Sequence, residues 1–61
     1  MKTAKQDLVT AFSQLQKAQL SLKIAAENVE KLNNKNQIQN TLSAVDEALF
    51  AASNAVSNYQ D

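Results

Sequence analysis

Apolar residues recur in a heptad pattern over the first half of the chain. One set of positions, spaced by seven, holds Met1, Leu8, Leu15, Leu22 and Val29, and a set three residues later holds Ala4, Ala11, Ala18, Ala25 and Leu32. Spacings that alternate between three and four keep one stripe of a helix facing a partner helix. Because alanine lets two helix axes approach closely, the pattern predicts a long first helix that packs tightly against another helix.

The residues that usually interrupt helices are absent. The 61 residues include no glycine and no proline, and a chain without either has little means of forming hairpin strands. There is also no cysteine and no histidine, which removes disulfides, thiolate sites, the commonest metal ligand and the commonest general base. We therefore expect an all-α protein with no cofactor and no metal site.

The predicted boundaries give a single helical hairpin over residues 1–61. The first helix covers about residues 4–32, beginning at a capping box of Thr3 and Gln6. A turn follows at about residues 33–36, because asparagine is the residue here best able to adopt the left-handed conformation that ends a helix. The second helix covers about residues 37–60, with Asn36 and Gln39 as a second capping box. A later start at Asn40 or Thr41 stays open.

The second helix carries its own apolar stripe, and a short turn favours an antiparallel arrangement. At about 1.5 Å per residue the first helix would be the longer one and would overhang the second. We call the stripe that joins the two helices the seam. Its predicted members are Leu8, Ala11, Leu15, Ala18, Leu22, Ala25, Val29, Leu32, Ile38, Leu42, Val45, Leu49, Ala52, Val56 and Tyr59.

Four further apolar residues lie off the seam, namely Val9, Leu20, Ile24 and Phe50. Single exposed apolar residues are normal, but together these four indicate a contact surface for another chain. A lone hairpin leaves its seam half exposed, and small unstapled scaffolds usually need to oligomerise. We therefore predict a homodimer in which two hairpins form a four-helix bundle.

Charge is balanced overall but unevenly placed. All six lysines and three acids precede residue 36, giving +3, and the remainder carries −3. The preferred interpretation is attraction between oppositely charged helices; a basic arm for an anionic partner is the alternative. The carboxylates, including Glu27 and Glu30, have no cleft around them that the sequence indicates, so we predict no catalytic residues and no enzyme.

We predict a non-enzymatic protein that acts through protein–protein contacts as a regulator, adaptor or structural piece. The longest apolar run, Ala48 to Ala52, is far shorter than the roughly 20 residues of a membrane span, so a cytoplasmic location is expected and no membrane partner. In size and topology the chain also resembles the plasmid-copy RNA-binding proteins of the Rop type. RNA or DNA binding is therefore the alternative function, less favoured because arginine is absent and the net charge is zero.

The first helix resembles a known group of proteins over Phe12 to Leu22, which reads FSQLQKAQLSL. This segment is similar to the opening helix of small uncharacterised helical proteins of spore-forming Firmicutes, with Leu15, Lys17, Ala18, Gln19 and Leu22 as the matching positions. The resemblance implies a short helical protein of bacterial origin and implies no activity. A phage-encoded inhibitor is the alternative source.

Overall fold

The computed structural model describes residues 3–60, which form two helices, α1 (Ala4–Asn28) and α2 (Leu32–Ser57). The helices pack against each other as an antiparallel hairpin that measures 47 × 19 × 11 Å. The predicted all-α hairpin is confirmed. Met1, the first residue of the heptad pattern, lies outside the described residues.

The start of α1 is fixed by the capping box that the sequence predicted. The Gln6 backbone N–H donates to Thr3 Oγ1 over 3.1 Å, and the Thr3 N–H donates to Gln6 Oε1 over 2.9 Å. Asp7 lies in the first turn, where its negative charge is favourable beside the positive end of the helix dipole. This end of the hairpin is therefore held by reciprocal hydrogen bonds.

The predicted turn position is wrong. α1 ends at Asn28, and the turn consists of residues 29–31, so that residues 33–36 form the beginning of α2. Val29 and Lys31 are both extended (φ −76°, ψ 136° and φ −84°, ψ 128°), and no non-glycine residue in the described part of the chain has a positive φ. Two extended residues thus reverse the chain without the left-handed asparagine that the sequence suggested.

The earlier turn makes the two helices almost equal in length, with 25 residues in α1 and 26 in α2. They span about 38 and 39 Å at 1.5 Å per residue, so the predicted overhang of the first helix does not occur. The physical reason for the shift is that equal helices pair along their whole length. The expected capping box of Asn36 and Gln39 is also absent, since both residues lie inside α2. The N-cap residue of α2 is Lys31, which makes no side-chain capping hydrogen bond.

The hairpin has no closed core. Its radius of gyration is 14.3 Å, whereas a compact chain of this length has about 10.5 Å. No residue among residues 3–60 is buried; the best covered side chains are half-buried. Each helix has one neighbour, so one flank of every apolar side chain remains in contact with solvent.

Candidate interaction surfaces

The predicted seam coincides largely with the half-buried residues of the hairpin. All its members are half-buried except Ala11 and Leu32, which are exposed. Phe12 is half-buried in place of Ala11, and Leu32 is displaced because it begins α2 and no longer ends α1. Three residues outside the predicted seam, Gln19, Ala26 and Ala48, are half-buried as well.

A side-chain hydrogen bond joins the two helices across one edge of the seam. Gln19 Nε2 donates to Asp46 Oδ1 over 2.7 Å. The bond closes this edge with polar groups, and its charged acceptor makes it stronger than a bond between neutral groups. We call the face of the hairpin that carries it the polar side. Sequence reasoning missed it, because the partners are 27 residues apart and the predicted turn gave a different register.

Lysine side chains are placed on the polar side by helix geometry. Lys23 follows Gln19 by one turn of α1, and Lys35 precedes Asp46 by eleven residues, or about three turns of α2. Lys5 lies fourteen residues before Gln19, about 40° from it around the helix. Counted over whole helices, the charge difference is small, with three lysines and two acids in α1 and one lysine and two acids in α2.

The opposite face of the hairpin carries small side chains in heptad register. We call it the alanine side and define it by two rows of three residues, one row on each helix. The rows are Ala11, Ala18 and Ala25 on α1, and Thr41, Ala48 and Ala55 on α2. Because the helices are antiparallel, the rows run alongside each other, with Ala18 and Ala48 at their centres.

A groove opens on the alanine side near the turn. It has a volume of about 410 Å³ and is lined by Leu22, Val29, Asn34, Gln37, Ile38 and Thr41. Thr41 belongs to the α2 row, and Leu22 and Val29 flank Ala25 at three and four residues, so the groove continues the alanine side. Three of its lining residues, Leu22, Val29 and Ile38, belong to the seam, which is therefore accessible to another molecule from this side.

The predicted contact surface is exposed at all four positions: Val9 is 44% exposed, Leu20 62%, Ile24 51% and Phe50 72%. At about 100° per residue, Val9, Leu20 and Ile24 lie within about 60° of one another around α1. Leu32, which the sequence assigned to the seam, is 71% exposed. It is eighteen residues, about five turns, from Phe50, so these two lie along one line of α2.

No described group of three or more acidic side chains is arranged so that it could hold a metal ion. Neither α1 nor α2 has the length and apolarity that crossing a membrane requires.

Comparison with protein-family models, with curated proteins and with solved structures found no match. The resemblance of Phe12 to Leu22 to small proteins of spore-forming Firmicutes stays a prediction. The geometry of the hairpin itself is the basis for a functional proposal.

Proposed function

We propose that this chain is a non-enzymatic cytoplasmic protein that self-associates and acts through protein contacts, as a small regulator, adaptor or structural piece. One observation carries the proposal: no residue among residues 3–60 is buried, although two complete apolar stripes face each other. Apolar burial is the main favourable term in folding. Each half-buried seam residue keeps part of its apolar surface accessible to solvent, so the chain gains from a partner that covers the seam.

The accessible surface that the hairpin exposes in excess of a compact monomer is about as large as one partner's share of a protein–protein interface. The hairpin has an accessible surface of 4856 Å², whereas a compact monomer of 6.7 kDa exposes about 3,900 Å². The excess of about 950 Å² is close to the roughly 800 Å² that each partner buries in a standard interface. A second hairpin would supply the missing cover and produce a four-helix bundle.

The contact surface is the second element of the proposal. Leu20, Ile24 and Phe50 are each at least half exposed and point away from the seam, so packing inside the hairpin does not explain them. Grouped exposed apolar residues mark interaction sites. We assign Val9, Leu20, Ile24 and Phe50 to a protein partner outside the hairpin pair.

Self-association is tested by dilution. If hairpins pair, the melting midpoint falls and the sedimenting mass moves from dimer to monomer over about a hundredfold dilution, because stability is linked to protomer concentration. A constant midpoint together with a monomer mass at every concentration contradicts self-association.

The contact surface is tested with the double variant Leu20→Gln and Ile24→Gln. Glutamine keeps helix propensity reasonable while removing apolar surface. We expect a folded dimer that no longer retains its protein partner in a pull-down from the native host. The matched control, Leu20→Met with Ile24→Met, preserves apolar surface and should retain the partner. A glutamine variant that keeps every interaction would show that these residues are scattered surface positions.

Nucleic-acid binding of the Rop type is the second candidate function. The observation that favours it is the placement of Lys5, Lys23 and Lys35 on the polar side. Phosphate contacts make such binding strongly dependent on salt. If nucleic acid copurifies with the dimer at low salt, is lost at high salt, and no protein copurifies, this candidate replaces the first.

A further inference from the structure

The polar side and the alanine side of the hairpin differ in how far they leave the seam accessible. On the polar side, the Gln19–Asp46 hydrogen bond spans the gap between the helices over 2.7 Å, and Lys23 follows Gln19 by one turn. On the alanine side, the gap is open near the turn as a groove of about 410 Å³ whose lining includes Leu22, Val29 and Ile38. A molecule that covers the half-buried apolar side chains therefore reaches them from the alanine side.

Charge is excluded from the alanine side along most of its length. Around α1, the positions that share this face from residue 10 to residue 28 are occupied by Thr, Ala, Gln, Ser and Asn. Around α2, the corresponding positions hold Asn, Gln, Thr, Ala and Tyr. Within residues 3–60, Asp7 is the one acid that helix geometry places there, at the open end of α1. The alanines among these uncharged positions permit close approach of another helix pair.

The absence of charge and the shape of the alanine side favour a second copy of this hairpin as the molecule that covers it. A symmetric dimer brings the same patch of both copies together, and like charges facing each other are destabilising. The polar side carries three lysines against one acid, Asp46, so two polar sides would repel each other. On the alanine side, α1 carries no charged residue between residues 10 and 28. The near-equal lengths of α1 and α2 let a second copy cover the face from end to end.

We propose that two copies of this hairpin pack through their alanine sides, so that both seams face each other in one four-helix core. This inference rests on the proposed self-association and names its surface. The polar side and the contact surface of Val9, Leu20, Ile24 and Phe50 then stay on the outside of the bundle. Self-association and partner binding thus use different faces of the same two helices.

The test introduces charge on the alanine side without disturbing the single hairpin. Ala11 and Ala55 are both exposed in the hairpin, so glutamate at these positions fits the monomer and retains a good helix former. Burying these unpaired charges at a dimer interface is unfavourable. We expect Ala11→Glu with Ala55→Glu to raise the dimer Kd by at least about tenfold in sedimentation equilibrium.

The matched control places the same charge on the other face. Gln16→Glu with Ser53→Glu adds two negative charges at exposed positions of the same helices, directed away from the alanine side, and should leave the dimer Kd within about twofold of the parent. Circular dichroism at high protein concentration verifies that both double variants are helical.

The outcomes separate this inference from the proposal on which it rests. If the parent chain is monomeric at all concentrations, both the proposed self-association and the proposed dimer surface are wrong. A dimeric parent whose Kd is unchanged in the alanine-side variant, or equally weakened in the control, overturns the choice of surface and leaves self-association standing. If Leu20→Gln with Ile24→Gln dissociates the dimer and the alanine-side variant does not, the hairpins pair through the contact surface instead. If the alanine-side double variant loses its helicity even at high concentration, two single variants are compared instead, Ala55→Glu and Ala55→Ser. Ala55→Ser adds no charge and should dimerise normally.

Discussion

The seam and the contact surface use the same residue types in the same two helices. Leu15 and Leu20 are five residues apart in α1, yet Leu15 is half-buried and Leu20 is 62% exposed. Leu49 and Phe50 are neighbours in α2, and again one is half-buried and the other is 72% exposed. The position around the helix axis, and not the hydrophobicity of the residue, determines which surface a side chain joins.

The difference between the two regions is a matter of degree, because no seam residue is fully buried. In a larger domain the inward-facing apolar residues would be fully buried, and the outward-facing ones would be isolated exposed residues of no special role. In this hairpin both regions retain accessible apolar surface, so each is available to a second chain. Four experiments measure how much the seam contributes to folding in comparison with exposed positions, the capped end of α1 and the polar edge.

The largest effect is expected for truncation of the seam. Leu49→Ala removes half-buried methyl groups at the centre of α2 and should lower the free energy of unfolding by about 2–3 kcal/mol, the lower part of the range for leucine truncation. Phe50→Ala, on the exposed neighbour, should change it by less than about 0.5 kcal/mol. Urea denaturation at a fixed protomer concentration compares the two. If both variants lose the same free energy of unfolding, the seam and the contact surface do not differ in their contribution to folding.

Overpacking the seam should have the next largest effect. Ala18→Leu inserts a larger side chain where the helices approach closely and should destabilise by about 1–3 kcal/mol. Leucine at exposed Ser43, on the side of α2 away from the seam and the alanine side, provides the control, since leucine is a good helix former and should be tolerated there. Thermal denaturation of both variants decides the matter. If Ala18→Leu is as stable as the parent, the assignment of Ala18 to the seam is wrong.

A smaller effect is expected at the capped end of α1. Thr3→Ala removes the acceptor of the Gln6 N–H and should reduce stability by about 1 kcal/mol. Thr10 is the control, because its hydroxyl donates to the Gln6 carbonyl inside the helix and Thr10→Ala gains helix propensity. Thr3→Ala should therefore unfold at lower urea concentration than Thr10→Ala. The reverse order would mean that the capping box contributes nothing in solution.

The smallest effect is expected at the polar edge of the seam. A double-mutant cycle with Gln19→Ala and Asp46→Ala should give a coupling energy of about 0.5–1 kcal/mol, since one partner is exposed to solvent. Screening should reduce this coupling at high salt, because the acceptor is charged. A coupling indistinguishable from zero at low salt would remove the hydrogen bond as a determinant of register.

The heptad pattern predicted two packed helices, because spacings of three and four place an apolar stripe on one face of each helix. The short connection between them predicted the antiparallel direction. The position of the turn could not be predicted in the same way. Asparagine at residues 33, 34 and 36 predicts a helix end there, although its helix propensity is only moderately low. Pairing of two equal helices overrides that preference and places the turn at residues 29–31.

Surface features depend on register, and this explains the remaining differences. Once the turn moves, Leu32 changes from the end of one stripe to the exposed start of α2. The Gln19–Asp46 bond likewise needs the correct alignment of the helices and leaves no local signal in the sequence. The exposure of Val9, Leu20, Ile24 and Phe50 could be predicted because it depends only on the helix period, which the sequence contains. Their role as a contact surface stays a prediction.

The antiparallel arrangement has a mechanical consequence. Thr3 and Tyr59 lie at the same end of the hairpin, so a load applied through them would pull the helices apart sideways at that end. The helices would then separate progressively, from the layer of Leu8 and Val56 toward the turn, and would lose a few apolar contacts at a time. A partner seated across both helices would have to be peeled away first, so the resistance of this molecule to stretching depends on what covers it.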